Sequence, residues 1–577
     1  MTTIQGMQAQ WRFQPAPPYQ VSDLATALNI SFPVAYILYQ RNLKTREEAL
    51  SFLFPEFDET YYNAELLHGF KKAIERIERA IESKEKILIA GDYDVDGISS
   101  TALLLFALLD FQATVNFFLP HRVNDGYGLS EKTVLRAKKA SYDLIITVDN
   151  GTSAFSALSR AKAEGIDVIV TDHHQPKELP TDAFCIVNPH IPACQYPFKD
   201  LAGVGVIFKL VVELYKRKNR KIPQKIYELF LFGTIADVMP LIGENRYWVT
   251  QALSKVNDST SNSVQLLKAN AKLVPEKKLT AEDIAFNLAP QLNALGRLSD
   301  PRNGVLFFVH DNYEAQEKIA FELFHCNLKR RETEKEILKK LLFDIQQNDI
   351  HPHIQGCIVK HSKDFLPGII GLLAAKLTQT YQVPTCIFSE SEDGTLKGSC
   401  RSITQCNIFQ VLQEIDPSIL ISFGGHHAAA GVSIKKEHLS SFITAFSQNV
   451  FKQCSNRDFC LSFTIDAEVQ IDEINQKLWR DLHLLEPFGS QNKTPIFYIK
   501  SATVLEMKII KEIHVKIKII SGEKKISALF FDRTDIINQL SINKKIDLIG
   551  KIKENVWQNK QTLELLGVDI KIIDETT

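Results

Sequence analysis

The chain has 577 residues, of which 45% are hydrophobic and 23% charged, and its 67 basic side chains nearly balance its 68 acidic ones. This composition excludes disordered and fibrous proteins, and the length predicts three or four domains. The balanced charge does not identify a partner, because a basic groove can be offset by acidic residues elsewhere.

The first 70 residues are expected to form an N-terminal extension without a core of their own. They hold the Pro-containing stretch PAPP and a short amphipathic segment, in which Thr45 and Glu48 match a helix capping box. No secretory signal and no apolar run of membrane-spanning length is visible, and the nine cysteines form no C-x-x-C pair. We therefore predict a soluble cytoplasmic protein with reduced thiols.

Residues 71–308 alternate between short β-branched runs and helical stretches. The runs KILIA, TVNFFL, DLIITV and DVIVT are separated by segments with helical patterning, beginning with a helix from Ile98. Such alternation is typical of βαβ units on a parallel sheet, so this region is predicted to be an α/β domain.

The remaining chain predicts three further parts. Residues 309–350 are rich in Glu, Lys and Leu without Gly or Pro, which predicts a long connecting helix. A smaller α/β pattern covers 351–453. Residues 454–577 carry short alternating strands such as VKIKII and KIDLIGKI, which indicate a small β-barrel.

The stretch GDYDVDG at 91–97 raises the question of which cation it holds. Three aspartates on alternate positions followed by glycine resemble the start of a calcium-binding EF-hand loop. That loop requires a glutamate at position 12, where this chain has Leu103, and a preceding helix, where this chain has the apolar run 87–90. A calcium loop is therefore excluded.

Acids and histidines follow several of the predicted strands. KILIA leads to Asp92, Asp94 and Asp96, LIITV leads to Asp149, and VIVT leads to Asp172, His173 and His174; Asp237 ends an apolar helical stretch. A single aspartate after a strand is usually a turn or cap residue. The carboxyl ends of parallel strands share one edge of the sheet, however, so the four segments together predict a metal site.

Carboxylates with imidazoles and no thiolates suit Mn²⁺ or Mg²⁺ rather than structural zinc. Several converging acids would repel one another without cations. Two neighbouring ions would clamp a phosphoryl group and activate a water for in-line attack, so the constellation predicts phosphoester hydrolysis.

The motifs GDYDVDG, VDNG, TDHH and ADVMPL, in this order, resemble those of the DHH phosphoesterases, and GGHHAAAG at 424–431 resembles the signature of the DHHA1 domain. The C-terminal barrel and the stretch LEPFGSQNKTPIF resemble the RecJ exonuclease branch of that family. The resemblance implies a DHH domain, a DHHA1 domain and an OB-fold, in an enzyme that degrades single-stranded DNA from its 5′ end.

The resemblance also implies roles for individual residues. Asp94 and Asp96 would bind separate ions bridged by Asp149, with His173 and Asp237 as further ligands and Asp92 as a less certain one. His174 would face the scissile phosphate and donate to its developing charge. Asp172 would orient the histidines, and Arg297 would stabilise the transferred phosphoryl group or lie on a helix surface.

Further residues are candidates for DNA binding by the same resemblance. Those for the 5′ phosphate are Ser399, Arg401, Gly425, His426 and Arg122; the glycines also fit plain tight turns. In the barrel, His514, Lys516 and Trp557 are candidate contacts, although the nearby phenylalanines suit a barrel core equally well.

The leading hypothesis is a two-metal exonuclease for single-stranded DNA in repair and recombination, acting as a monomer with a helicase and a single-strand-binding protein as partners. The first alternative is a phosphodiesterase for short oligonucleotides or cyclic dinucleotides, which would not need the barrel. The second is a binding subunit without catalysis, which would require lost metal ligands.

Overall fold

The computed structural model describes residues 2–121, 126, 128–176, 178–258, 261–347, 351–455, 458–557 and 560–573. The chain divides into two compact units. The first contains Met1–Glu56, Cys460–Phe488 and Asn492–Thr577, and the second contains Phe57–Phe459 and Gly489–Gln491. The second unit is thus inserted between two parts of the first.

The second unit contains a parallel sheet, five-stranded within the described residues. In spatial order its strands are Thr114–Phe118, Lys86–Ala90, Leu144–Val148, Asp167–Thr171 and Cys185–Val187. Every neighbouring pair is parallel. Four of the strands match the predicted runs. The fifth was not predicted, because three residues are too few to show a period.

Helices connect and cover these strands, as parallel pairing requires. In this part of the unit they are Phe70–Glu82, Val95–Asp110, Glu131–Lys139, Phe155–Ala163, Gly203–Arg217, Gln224–Ala236, Gly243–Asn257, Asn262–Asn270, Ala281–Asp283, Ala289–Leu298 and Arg302–Val309, with a 3₁₀ turn at Ala64–Leu66 and a π-helical turn at Ile284–Leu288. Val95–Asp110 is buried along most of its length and packs against Gly203–Arg217 and Gln224–Ala236. It is apolar on nearly all sides, as a central helix must be.

The long helix spans Tyr313–Gln347 rather than beginning at residue 309. The preceding helix ends at Val309, and the Asn312 side chain accepts a hydrogen bond from Ala315 N at 3.1 Å, which starts the new helix. The prediction of a long helix is confirmed, with its start corrected by this cap; residues 348–350 lie outside the described part of the chain.

A second sheet of the same unit follows, five-stranded in the part of the chain described. Its strands are, in spatial order, Leu420–Gly425, Ala429–Lys435, Thr395–Arg401, Thr385–Glu390 and Ile358–Ser362. The last two pair in parallel and the others are antiparallel. The accompanying helices are Pro352–Gln355, Ile370–Tyr381, Ile408–Gln413 and Leu439–Gln453, with a 3₁₀ turn at Lys436–His438.

The first unit contains the predicted β-barrel. Its sheet runs in the order Ala467–Glu468, Phe497–Ile510, His514–Ser521, Lys524–Phe530, Lys560–Ile573 and Lys545–Trp557. Pairing of Phe497–Ile510 with Lys545–Trp557 closes the barrel. Helices Gln476–His483 and Thr534–Gln539 and a 3₁₀ turn at Ile471–Glu473 accompany it. The predicted α/β fold with a terminal barrel is confirmed.

The N-terminal segment has a core, contrary to the expectation of a plain extension. Its helices Pro18–Leu28, Phe32–Gln40 and Arg46–Leu53 bury apolar side chains in the same cluster as the barrel. Its strands Thr2–Gln5 and Gln10–Phe13 form a sheet with Ser462–Ile465. The apolar spacing in FPVAYILYQ was the overlooked signal. The five sequence-based domain limits otherwise stay a prediction.

Two local features connect sequence and structure in this unit. The capping box is present, with Thr45 accepting from Glu48 N and the Glu48 side chain accepting from Thr45 N. Trp11 Nε1 donates to Asp569 Oδ2 at 3.0 Å, and both side chains are buried. This bond joins the two ends of the chain.

Among the described residues, no single helix has both the length and the hydropathy needed to span a bilayer, although the helix pair Pro18–Leu28 and Phe32–Gln40, bent by 113°, meets the two criteria jointly.

Candidate metal centre

The predicted acids and histidines lie where three neighbouring strands of the parallel sheet end. Asp92, Asp94 and Asp96 follow the strand ending at Ala90, Asp149 follows Val148, and Asp172, His173 and His174 follow Thr171. Asp237 is the C-cap of helix Gln224–Ala236. The sheet topology therefore gathers residues 92 to 174, and a helix end adds Asp237, which lies 145 positions after Asp92.

Three groups of donors among the described residues have ligand atoms within 4.8 Å of one another. They are Asp92, Asp94 and Asp149; Asp96, His173 and Asp237; and Asp149, His173 and His174. His173 Nε2 lies 3.1 Å from Asp149 Oδ1. The same atom lies 3.6 Å from Asp237 Oδ2 and 3.9 Å from Asp96 Oδ2. All six predicted metal ligands thus converge, with Asp149 and His173 each belonging to two groups.

Local backbone structure fixes the acids of the first loop. Asp94 caps helix Val95–Asp110 and accepts a hydrogen bond from Gly97 N at 3.0 Å. Asp96 is the second residue of the same helix, and its carboxylate accepts from Gly203 N at 2.6 Å and Val204 N at 2.9 Å at the start of helix Gly203–Arg217. Free N–H groups at a helix start favour an anion, so both carboxylates are held by helix N-termini.

Asp149 is held in a costly backbone conformation. Its φ of 62° places a non-glycine residue in the left-handed region at the sheet edge. Such strain costs on the order of 1–3 kcal/mol and is typical of functional sites. A Cβ added at Gly203 would lie 2.6 Å from Asp149 Cβ, so the helix can approach this residue only because Gly203 lacks a side chain.

Burial and mutual repulsion raise the pKa values of three of the acids. Burial, and then the neighbouring Asp94, raise the pKa of Asp96 to about 7. Burial raises the pKa values of Asp149 and Asp237 well above the usual range, and Asp96 adds to both shifts. Protons stabilise these carboxylates when cations are absent, because ionised acids this close repel one another.

The donor set fits divalent cations. Carboxylate oxygens dominate it, as Mg²⁺ and Mn²⁺ prefer. Burial, and then the charge of His174, lower the pKa of His173 to about 3, so its imidazole is neutral and free to act as a ligand. The buried Asp237 Oδ2 has no hydrogen-bond partner among the described residues. These groups could hold a metal ion.

His174 differs from His173 in its environment. Its Nδ1 lies 2.7 Å from Asp172 Oδ1. Burial acts to lower the pKa of His174, but the hydrogen bond and charge of Asp172 outweigh it and raise that pKa to about 9. Burial opposes ionisation of Asp172, yet His174 and the Thr152 N–H hold its pKa below the usual range. The two side chains therefore form an ion pair with Nδ1 as the donor.

Two buried asparagines of the site were not predicted. Asn150 Nδ2 donates to Ala90 O at 3.0 Å and Val148 O at 2.9 Å, and its Oδ1 accepts from Leu129 N. It ties two strand ends together beside Asp149. The motif VDNG contained this residue, and the rule that selects polar residues after strands would have found it.

The second is Asn188, which follows the short strand Cys185–Val187. Its Nδ2 donates to His174 O at 2.9 Å and Thr152 Oγ1 at 3.1 Å, so it fixes the histidine loop from the next strand. Because that strand was not predicted, the residue after it carried no signal.

A cleft of about 1310 Å³ opens beside the ion pair. His174 and Asp172 line it together with Gly425 and His426, which come from the second sheet of the same unit. His426 N donates to Ala429 O at 2.8 Å and Gly425 has a φ of 146°, so the GGHH segment is a tight turn at the cleft. The structure therefore brings these two predicted residues to the same cleft as His174.

Ser399 and Arg401 lie in the strand Thr395–Arg401. Arg401 Nη1 donates to Ser399 Oγ at 3.1 Å and to Cys400 O at 2.8 Å. A Cβ at Gly371 would lie 3.0 Å from both Arg401 Nη2 and Ser399 Oγ, so these polar groups face the start of helix Ile370–Tyr381. A helix start beside an arginine and a hydroxyl suits an anion.

Arg297 is the penultimate residue of the helix Ala289–Leu298, near the first motif. Its Nη1 donates to Gly368 O at 2.6 Å. A Cβ at the adjacent Gly296 would lie 2.3 Å from Tyr93 O, so this helix packs directly against the loop that carries Asp92 and Asp94. Arg122 lies outside the described residues.

The barrel candidates belong to the first unit. Lys516 Nζ pairs with Glu564 Oε2 at 3.0 Å, and His514 accepts from Asp532 N at 3.1 Å. Phe530 is fully buried, whereas Phe531 is 52% exposed and contacts the His514 ring edge-on. The side chain of Trp557 lies outside the described part of the chain.

Family models match three parts of the chain. The DHH family N-terminal domain matches residues 86–234, the DHHA1 domain matches residues 354–452, and the RecJ OB domain matches residues 465–569. With the sheet edge described above, these matches define a protein of the DHH class that carries a DHHA1 domain and an OB domain.

Full-length comparisons specify the branch of that class. The chain is 32% identical to the single-stranded-DNA-specific exonuclease RecJ of Bacillus subtilis (strain 168), over 98% of this chain and 71% of the relative. It is 30% identical to the exonuclease of the same name from Salmonella typhimurium (strain LT2), over 87% of this chain and 90% of the relative. The crystal structure of RecJ in complex with Mn²⁺ from Thermus thermophilus superimposes with a TM-score of 0.83 at 25% identity, covering 98% of this chain and 80% of that one. The chain belongs to the RecJ family.

Proposed function

We propose that the protein is a metal-dependent exonuclease that hydrolyses single-stranded DNA from its 5′ end to 5′ mononucleotides, in repair and recombination. The observation that carries this proposal is the convergence of Asp92, Asp94, Asp96, Asp149, His173 and Asp237 into overlapping donor groups at one sheet edge. Family membership supplies the substrate class, since the named relatives are single-stranded-DNA-specific exonucleases.

The donor groups support a two-cation site. Asp92, Asp94 and Asp149 would hold one Mn²⁺ or Mg²⁺, and Asp96, His173 and Asp237 would hold the other, with Asp149 close enough to His173 to bridge them. Such a pair of cations supplies Lewis-acid stabilisation of a phosphoryl group and an activated water. The protein's own contribution is to fix the carboxylates by helix N-termini and a strained backbone.

His174 is proposed to stabilise the charge that develops on the scissile phosphate. The bond between its Nδ1 and Asp172 orients the ring, and the side chain lines the cleft. A donor held in place before the reaction loses little free energy to reorientation. Arg297 is proposed as a second cationic group for the phosphoryl oxygens.

The 5′ end is proposed to bind at the opposite side of the cleft. Gly425 and His426 line the cleft there, and Ser399 and Arg401 are proposed to complete the site from the neighbouring strand Thr395–Arg401 of the same sheet. Hydroxyl, guanidinium, backbone and imidazole donors form a set that suits a terminal phosphate. Arg122 remains a further candidate for this phosphate.

The barrel is proposed to bind the single strand, with His514, Lys516 and Trp557 as contacts, because OB-folds bind strands by basic and aromatic side chains. We also propose a monomer that receives its substrate from a helicase and a single-strand-binding protein.

The test compares two aspartates that flank the same strand. Asp149 follows the strand Leu144–Val148, and the exposed Asp143 precedes it at the other edge of the sheet. Wild type, Asp149→Ala and Asp143→Ala would be incubated with Mn²⁺ and either 5′-labelled or 3′-labelled single-stranded DNA. We expect early release of labelled mononucleotide from the 5′ label, loss of this activity in Asp149→Ala and retention in Asp143→Ala.

Other substrates separate the alternatives. A blunt duplex should resist hydrolysis, and a dinucleotide should react more slowly than a long strand. Faster hydrolysis of the dinucleotide would favour the short-oligonucleotide phosphodiesterase, and persistent activity of Asp149→Ala would refute the two-cation site.

A further inference from the structure

The cleft beside His174 holds a side chain to which no role has been given. Phe155 is the first residue of helix Phe155–Ala163 and is 40% exposed. The same helix buries Ala157, Leu158 and Ala161, so its opposite face packs into the core while the phenyl ring lines the cleft. An exposed aromatic residue is unremarkable alone. This ring, however, shares its cleft with the ion pair of His174 and Asp172.

The charged residues that line the cleft bear on what can bind beside the ring. Besides His174 and Asp172 they are Glu131, Glu178 and Lys132. A neutral aromatic group is repelled by neither sign of charge, so it can bind among them. The hydroxyls of Ser153 and Ser156 also line it and can donate to or accept from polar edges of such a ligand.

The position of the cleft identifies the ligand. The scissile phosphate is proposed to lie at His174, and the terminal 5′ phosphate at His426. Both side chains line this one cleft, which at about 1310 Å³ has room for more than a single small ligand. The nucleotide between these two phosphates is the 5′-terminal one, and its base is the neutral aromatic group that must be accommodated there.

We propose that Phe155 stacks on the base of the 5′-terminal nucleotide and so positions the scissile phosphate at His174. This inference rests on the proposed function. Stacking on a phenyl ring tolerates every base, since each has a π-face. A site of this kind suits an exonuclease that must accept each successive nucleotide of any sequence.

The experiment compares two 5′-phosphorylated single strands with Mn²⁺: one with an ordinary terminal nucleotide and one with an abasic terminal sugar. Stacking is worth about 5- to 150-fold in binding, so wild type should show a KM higher by a factor in that range for the abasic strand. Phe155→Ala should raise KM for the ordinary strand by a similar factor and should make the two strands equivalent. Phe155→Trp should restore the difference.

The control is Phe343→Ala, which removes a ring that is 62% exposed and is not among the described residues that line this cleft. It should keep the wild-type difference between the strands. A second readout places 2-aminopurine at the 5′ terminus, whose fluorescence should be quenched on binding to Asp149→Ala and not to the double variant Asp149→Ala, Phe155→Ala.

The outcomes separate the two proposals. A wild-type protein that hydrolyses neither strand would overturn the proposed function. An active wild type that treats both strands alike, or a Phe155→Ala variant that keeps the wild-type discrimination, would overturn the stacking role and leave the exonuclease assignment intact.

Discussion

Substitution of Gly203 by alanine tests whether the metal centre depends on close backbone approach. The added Cβ would lie 2.6 Å from Asp149 Cβ, 2.8 Å from its Oδ1 and 2.9 Å from its Cα. Carbon atoms in contact prefer about 3.5–4.0 Å, so Asp149 or the helix must move by roughly 1 Å. Asp149 cannot easily yield, since its backbone is already strained at a φ of 62°.

The expected magnitudes differ for stability and activity. Overpacking costs about 1–3 kcal/mol, and the better helix propensity of alanine offsets up to about 1 kcal/mol of that. A displacement of about 1 Å in a catalytic group, by contrast, lowers activity on the order of 100-fold. We therefore expect a folded protein with a modest loss of stability and a large loss of exonuclease activity.

The matched control is Gly205→Ala, two residues further along the same helix. Its Cβ would lie 3.3 Å from Leu201 Cβ, a contact that a small shift of the leucine relieves away from the carboxylates. Rates on 5′-labelled single-stranded DNA with Mn²⁺ and thermal unfolding would be measured for both variants. Near wild-type activity in Gly203→Ala, or equal losses in the two variants, would refute the steric argument.

Three further predictions concern pH, the buried amide and the barrel. Mn²⁺ should bind at least about tenfold more tightly at pH 8 than at pH 6 in calorimetry, because Asp96, with a pKa of about 7, must lose its proton, while His173, with a pKa of about 3, is neutral at both. An Mn²⁺ affinity that does not change with pH would contradict this account. The same raised pKa of Asp96 should make the metal-free protein less stable to unfolding as the pH rises from about 4 through 7. Asn150→Ala should lower the free energy of unfolding by about 2–4 kcal/mol in denaturant titrations, since it leaves buried carbonyls and an N–H unpaired; a change below about 1 kcal/mol would argue against its tying role. Phe530→Ala should lower the free energy of unfolding by about 3–5 kcal/mol and Phe531→Ala by less than about 1 kcal/mol, because only the Phe530 ring is buried. Similar losses of stability in the two variants would contradict this difference in burial.

Most of the metal centre could be predicted from the sequence, because the topology of the parallel sheet brings most of its residues together. Once Asp149 and the TDHH segment are recognised as residues that follow parallel strands, their meeting at one sheet edge is required. Asp237 was harder, because it ends a helix, and only its place in a fourth motif distinguished it from an ordinary cap. The individual ligand roles stay predictions.

The features that could not be predicted from the sequence depend on very short strands and on contacts between distant backbone segments. Asn188 follows a three-residue strand that leaves no period, and the N–H groups that hold Asp96 belong to a helix start more than 100 residues away. Phe155 carried no signal, because an aromatic residue at a helix start is usually core. The role proposed for it depends on the cleft that it lines together with Gly425 and His426 of the second sheet region.

The hydrogen bond between Trp11 and Asp569 bears on the order of events during synthesis. The two residues are separated by 558 positions, so at about 5–20 residues per second the partner of Trp11 emerges from the ribosome roughly half a minute to two minutes later. During that interval the apolar helix Phe32–Gln40 has no complete barrel to pack against, whereas the inserted unit has its complete sequence once residue 491 is made, before the barrel strands from Phe497 onward. The inserted unit can thus fold before the N-terminal segment, whose apolar helices acquire their packing partners only when the barrel strands are made.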